Sequence, residues 1–314
     1  MNIRMISKPL KIVQYMRIMF VMLMFVFMQV TVVFAQSHEF SVYGGGGLSA
    51  LHYKLSTGDA SGGFGGDFGL GYTFSPSKSQ IIETGTLSRR KWGIFAGIGL
   101  GLYNAQAKLN NVQTVTSGLS DGELHYDRFD LRTTFTGYNE KQNAMLLNIP
   151  VMWHFQMAQF YVMAGVKAGI PLNGKYQSKD ATLTNKAYYP DLGNEIDAPE
   201  FRGYGTFRGK NSDGVIDLGL SVALSLEAGI NRRIGGNIHL YAGVYVDYGL
   251  NNVVKSSHQP FVNYTGDNPA NFTTNSVLSS YSDYNNYNNK ASITFTDKAN
   301  IMAVGIKVRL AYVK

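Results

Sequence analysis

Cysteine is absent from the 314 residues. That excludes a disulfide framework, a thiolate metal site and a lipid-anchor cysteine near the start. Charge is scarce as well: Asp, Glu, Lys and Arg make up 16% of the chain, against roughly 25% in soluble domains. The formal net charge of +7 is mostly a property of the first residues, because Arg4, Lys8, Lys11 and Arg17 lie there. With those four taken from the 28 bases, the remainder stands at +3 against 21 acids. No basic cluster is longer than Arg89-Arg90-Lys91, so no nucleic-acid partner is expected. Transition-metal ligand spacings are missing, and Gly266-Asp267-Asn268 has no following acid at the spacing calcium needs. No cofactor and no metal are therefore expected. Past residue 35, helix-favouring runs are almost missing.

What is present starts with a leader. Residues 1–17 are basic, and Ile18 to Phe34 is apolar apart from Gln29 and Thr31. The segment ends Val33-Phe34-Ala35-Gln36, with short side chains at the minus-three and minus-one positions. A charged start, an apolar middle and this ending predict a secretory signal peptide over 1–35. Met16 is an alternative start that gives a more ordinary leader length. The run is barely long enough for a transmembrane anchor, and no basic stop-transfer cluster follows it. The expected domain division is leader 1–35 and one β domain over 36–314.

Glycine (35), tyrosine (20) and phenylalanine (18) are abundant, and they are ordered. Eight segments alternate large apolar residues with smaller ones: Phe40–Leu48, Phe64–Phe74, Trp92–Leu102, Met145–Phe155, Phe160–Ile170, Ile216–Leu226, Ile238–Tyr248 and Met302–Tyr312. The period of two is that of strands, and the lengths match those of strands crossing a bilayer at a tilt. The second face holds residues such as Gly65, Gly69, Gly71, Gly93, Gly97, Gly99, Gly101, Ser221 and Ser225, with Phe95 an exception. It is too poor in charge for a wet exterior and too small for an apolar core. Turned inward, it suits the narrow interior of an eight-strand barrel whose apolar face meets lipid. The expected fold is all-β: a transmembrane antiparallel barrel of eight strands with long extracellular loops.

Connection lengths carry the same message. Short links at 156–159 and 231–237 alternate with long ones at 103–144, 172–214 and 250–298, as in outer-membrane barrels with short periplasmic turns. The link 75–91 is long for such a turn. Within 103–144, residues 128–136 alternate again and predict a hairpin above the membrane. The periplasmic ends of the outward faces collect Phe40, Phe74, Trp92, Trp153, Phe155, Phe160 and Tyr312, an aromatic girdle at headgroup level.

The stretch Leu147-Asn148-Ile149-Pro150-Val151 resembles the fourth strand of PorT-like outer-membrane β-barrels of Bacteroidota. Residues 240–250, with Tyr245-Val246-Asp247-Tyr248-Gly249-Leu250 at their end, resemble another strand of barrels in that group. The closing segment, with Gly305, Val308, Leu310 and Tyr312, is similar to the signal read by the barrel-insertion machinery. The resemblance implies an outer-membrane location, lipid and lipopolysaccharide as surroundings, and a secretion-system protein among conceivable partners.

Expected lumen-facing ionisable residues are Asp67, His154, Lys167, Asp217, Glu227, Asp247, Lys307 and Arg309, joined by His239. Unpaired charges are costly in so narrow an interior, so this set predicts an internal salt-bridge network that plugs the barrel. Glu227 and Arg309 are expected to pair near the periplasmic end. A lipid A-modifying enzyme would need a Ser/His/acid set near the outer rim. Only His52 and His125 are candidates there, and neither has such neighbours in sequence. The glycine strings Gly44–Gly47 and Gly97-Ile98-Gly99-Leu100-Gly101 continue into alternating pattern on both sides, so they open no phosphate-binding helix. The expected function is a non-enzymatic, monomeric barrel with a plugged lumen. Its loops would serve surface binding, envelope structure or secretion-system assistance. A narrow pore and a lipid A-modifying enzyme are the alternatives.

Overall fold

The computed structural model describes residues 37–76, 90–120, 128–179, 181–255, 259–264, 272–286, 289–296 and 298–314. The expected leader and most of the 75–91 link lie outside these residues. Eight strands form a closed antiparallel ring: β1 (Ser37–Tyr53), β2 (Phe64–Ser75), β3 (Arg90–Leu109), β4 (Tyr138–Met157), β5 (Phe160–Lys179), β6 (Ser221–Gly235), β7 (Ile238–Gly249) and β8 (Ala299–Val313). Each pairs with its neighbours in sequence. β8 closes on β1, with Phe40 opposite Tyr312 and Gly47 opposite Gly305. Closure leaves no unpaired edge, which is what permits a sheet to stand in hydrocarbon.

The outward face is the apolar one. Phe40, Val42 and Leu48 of β1, Phe68 and Leu70 of β2, and Val304, Ile306, Val308 and Leu310 of β8 are all exposed. The inward face is buried, Phe95 included. Two prolines sit where the ladder tolerates a missing donor. The β3–β4 register passes from Ala96–Val151 to Gly99–Asn148, skipping the stretch that contains Pro150. Pro171 lies at a register shift between β4 and β5 beside Met145 and Leu146.

Two sequence expectations need correction. The sixth segment does not begin at Ile216: the barrel strand starts at Ser221, while Ile216 and Leu218 are buried. Leu218 forms an isolated bridge with Val254, so that loop-end stretch packs on 250–298, the fourth loop at this end after those following β1, β3 and β5, rather than on lipid. β3, β4 and β5 also run well past their apolar segments, to 20 residues each. Above the apolar band they carry polar outward residues such as Lys108, Lys141 and Lys175, and their register continues to Leu109–Tyr138 and Asn139–Lys179.

A second sheet stands at this loop end. Strand 112–120 pairs with 128–136 as a hairpin, and 128–136 pairs with 182–189 from the next long loop. Strands 194–196 and 205–208 add to the far side of 182–189. Strand 280–286 joins through Asn285–Thr116 and forms its own hairpin with 289–294.

Candidate functional site: the barrel interior and its loop end

The barrel interior holds an alternating ladder of charges. Asp247 accepts from Ser225 Oγ at 2.6 Å and from Lys167 Nζ. Lys167 lies 3.5 Å from Asp67 Oδ2, and Lys307 Nζ reaches the same oxygen at 3.0 Å. Lys307 is 3.8 Å from Glu227, and Arg309 is 3.9 Å from its other oxygen. Three acids thus alternate with three bases, all less than 10% exposed. The charges cancel within the interior, which is the condition for keeping them out of water.

Aromatic rings complete the packing. Lys307 lies over Tyr245 at 4.5 Å and Tyr43 at 5.2 Å. Arg309 lies over Tyr241 at 4.3 Å and Phe95 at 5.1 Å, while Tyr161 donates to Glu227 at 2.9 Å. These cation–ring contacts gain strength where water is excluded. Below them Tyr241 donates to Glu39 at 2.9 Å, and Lys91 bridges Glu39 and Ser37. A void of about 10 Å³ remains between Lys167, Lys307, Glu227 and Arg309, room for one water.

Opposite these rings stand glycines. A Cβ on Gly71 would lie 2.2 Å from the Phe95 ring, and one on Gly99 would lie 2.5 Å from the Tyr43 hydroxyl. The small face is therefore half of a complementary pair, in which rings from one position lie across the bare backbone of another.

Above the ladder the filling turns apolar: Leu51, Tyr103, Leu146, Ile301 and Ala303 are buried in one cluster with Phe261, Phe272, Val277, Leu278 and Phe295 of the fourth loop. That loop enters the barrel mouth and is fastened there by Glu140. Its carboxylate accepts from Tyr138 and Ser276 hydroxyls, from Gln142 Nε2 at 2.8 Å and from the Val277 N–H at 2.9 Å. Tyr53 in turn donates to Gln142 at 2.8 Å. Four donors to one fully buried carboxylate satisfy its desolvated oxygens. The Phe261 ring meets Phe135 and Tyr138 edge-on, both at 5.1 Å.

The sequence-derived set is only partly assembled here. Asp67, Lys167, Glu227, Asp247, Lys307 and Arg309 form the ladder. Asp217 does not belong to it: the side chain is 64% exposed and pairs with Lys255 at 3.1 Å, because it precedes the true start of β6. His154 is inside, but among the described residues its ring nitrogens have no hydrogen-bond partner; it packs against Tyr161 and Tyr241. His239 is half-buried and bonds Asn231 at 3.1 Å. The expected Glu227–Arg309 pair is present as a long contact at 3.9 Å, and the Tyr241, Phe95 and Tyr161 rings surround the guanidinium at 4.3–5.4 Å. Sequence reading missed Glu39, Lys91, Tyr43, Tyr161, Tyr241, Tyr245 and Glu140. The inward parity of Tyr241, Tyr245 and Asp247 in one strand was the available signal. Of the two rim histidines, His52 points outward on β1, and His125 lies outside the described residues. Among the described residues no group of three His, Asp or Glu side chains is arranged to hold a metal ion.

Residues 34–255 match the family described as outer membrane protein beta-barrel domain. The chain belongs to this family. The match spans β1 to β7 and supports an outer-membrane location for the barrel. No curated protein sequence matches the chain. In that membrane the exposed apolar face meets lipid. At the end with the short turns, the aromatic set lies on this lipid face. Phe40, Trp92, Trp153, Phe155, Phe160 and Tyr312 are exposed, and Phe74 packs beside His38. Trp92 and Trp153 stack at 5.7 Å. Rings at this level suit the boundary between hydrocarbon and headgroups.

Proposed function

We propose that this protein is a non-enzymatic, monomeric outer-membrane barrel whose lumen is closed and whose loop sheet works as a contact surface. The observation that carries the reading is continuous filling. The charge ladder, its rings, the apolar cluster and the Glu140-fastened loop follow one another along the interior. Eight strands enclose little more than their own side chains, and here a loop is added.

In this reading the short turns face the periplasm and the long loops face outward, in keeping with the family's usual parity. Within the family, the residues at 147–151 and 240–250 favour the PorT-like barrels of Bacteroidota. The loop sheet offers exposed Leu192 and Phe201 near its tip, a feature suited to a surface ligand or a secretion-system protein. Envelope structure is the role that remains if no such partner is held. The test of closure is single-channel recording with the full chain in a planar bilayer. No openings above the bare-membrane baseline are expected, and stable unitary openings overturn the closed-lumen reading.

A further inference from the structure

On the lipid face near the turn end, a groove of about 360 Å³ runs between β1, β2, β7 and β8. Its walls are Phe40, Val42, Leu70, Ile238, Leu310 and Tyr312. Ser41, between Phe40 and Val42, turns its side chain into the barrel, where its hydroxyl donates to the Gly71 carbonyl at 3.2 Å. Further along β1 the outward positions are Gly44 and Gly46, and a Cβ on Gly44 would touch nothing within 4 Å. The bare stretch prolongs the groove along the strand, giving an elongated apolar channel.

The exposed charged side chains nearest its lower end are basic. Lys314 follows Tyr312 on the outward face, and its backbone pairs with His38. Arg232 stands opposite Leu240, which in turn stands opposite Leu310. Both bases are exposed, and among the described residues neither has an ion-pair partner. Among the described residues at this end, the acid is Glu39, which is buried and neutralised by Lys91. An apolar channel that ends between unpaired cations at headgroup level matches an amphiphile with an acyl chain and an anionic head. Each base near an anionic lipid surface favours it by about fivefold, and each buried methylene adds to retention.

We infer that this groove is a binding site for one anionic phospholipid of the inner leaflet, its acyl chain along Val42 and Gly44 and its phosphate between Arg232 and Lys314. The inference goes beyond the closed-lumen reading but takes from it the orientation that puts the turn end at the periplasmic leaflet.

The test is native mass spectrometry of the full chain, released from detergent containing equimolar phosphatidylglycerol and phosphatidylethanolamine. One phosphatidylglycerol is expected to be retained in preference to phosphatidylethanolamine. Arg232→Gln with Lys314→Gln should remove that preference, losing roughly fivefold for each base. Leu70→Trp and Gly44→Phe, both facing outward, should lower retention of both lipids, with heat-modifiable gel migration confirming that each variant is folded. Equal retention of the two lipids, or a preference indifferent to all these changes, overturns the site. A two-chain species that loses its lipid overturns it in favour of a second copy. Stronger retention of added lipid A overturns the inner-leaflet source and, with it, the orientation, whereas channel recordings leave this result untouched.

Discussion

Asp67 holds two ammonium groups, Lys307 at 3.0 Å and Lys167 at 3.5 Å, on one buried carboxylate oxygen. Removing one partner of a buried ion pair leaves an uncompensated charge, at a cost of about 3–5 kcal/mol. Asp67→Asn is therefore expected to lower the denaturant midpoint in detergent sharply. Asp217→Asn, which breaks only an exposed pair with Lys255, should change stability by less than about 1 kcal/mol. Similar losses from the two variants would contradict the ladder. The glycines make a second residue-scale case. Gly71→Ala drives a methyl into the Phe95 ring, and overpacking of this kind costs about 1–3 kcal/mol. Pairing it with Phe95→Leu should restore part of the loss, because neighbours that share one space are not additive. A double variant as unstable as the sum of the two singles would refute that complementarity.

Among the elements, the fourth loop depends most on a single side chain. Glu140 holds Ser276 and the Val277 amide, and the loop's apolar residues are buried behind them. Glu140→Ala is expected to speed hydrogen exchange of the amides at 275–280 by at least tenfold while β1 and β8 amides stay protected; unchanged exchange would show that the apolar cluster suffices. The loop sheet carries its own charge contact. The Lys186 ammonium, hydrogen-bonded to Glu195 at 2.8 Å, holds that carboxyl below the usual glutamate range, and Arg132 bonds its other oxygen. A carboxyl whose folded value is lowered contributes fully above its unfolded value and loses that contribution as pH falls through the folded one. Proteolytic nicking at 190–196 should therefore rise on acidification through the acid side of the glutamate range, and Glu195→Gln should show the raised rate already at neutral pH. A flat pH profile would remove the pair from the account.

For the whole molecule, closure has two layers. In the proposed closure, the buried apolar cluster at the loop end is one layer and the charge ladder with its rings is the other. Release of the loop-end layer alone should leave the barrel electrically silent, so Glu140→Ala is expected to show no more channel openings than the unaltered chain. Openings in that variant alone would locate the whole seal in the loop.

How much of this was legible in the sequence differs by element. Strand alternation is local and survives folding, so Phe40–Leu48 and Met302–Tyr312 could be read as strands with the correct face outward. Parity also placed Lys167, Asp247 and Lys307 inside. Alternation fails where a strand ends, and Ile216, Asp217 and Leu218 were misassigned for that reason: a bridge to Val254, distant in sequence, sets their facing. Glu140 looked like an ordinary loop acid until Ser276 and Val277 were brought to it from the far end of the chain. The tyrosines were visible, but that they lie across glycines of other strands depends on the register.

The chain by itself thus determined the eight strands, their lipid face and the small-residue inward face, because hydrophobic period and connection length are properties of adjacent residues. Only the closed ring decided which acid meets which base, how rings and glycines interlock, and that residues from 261–295 return to pack against the barrel's loop end. Those contacts join residues far apart in sequence, and only the geometry of ring closure sets their distances.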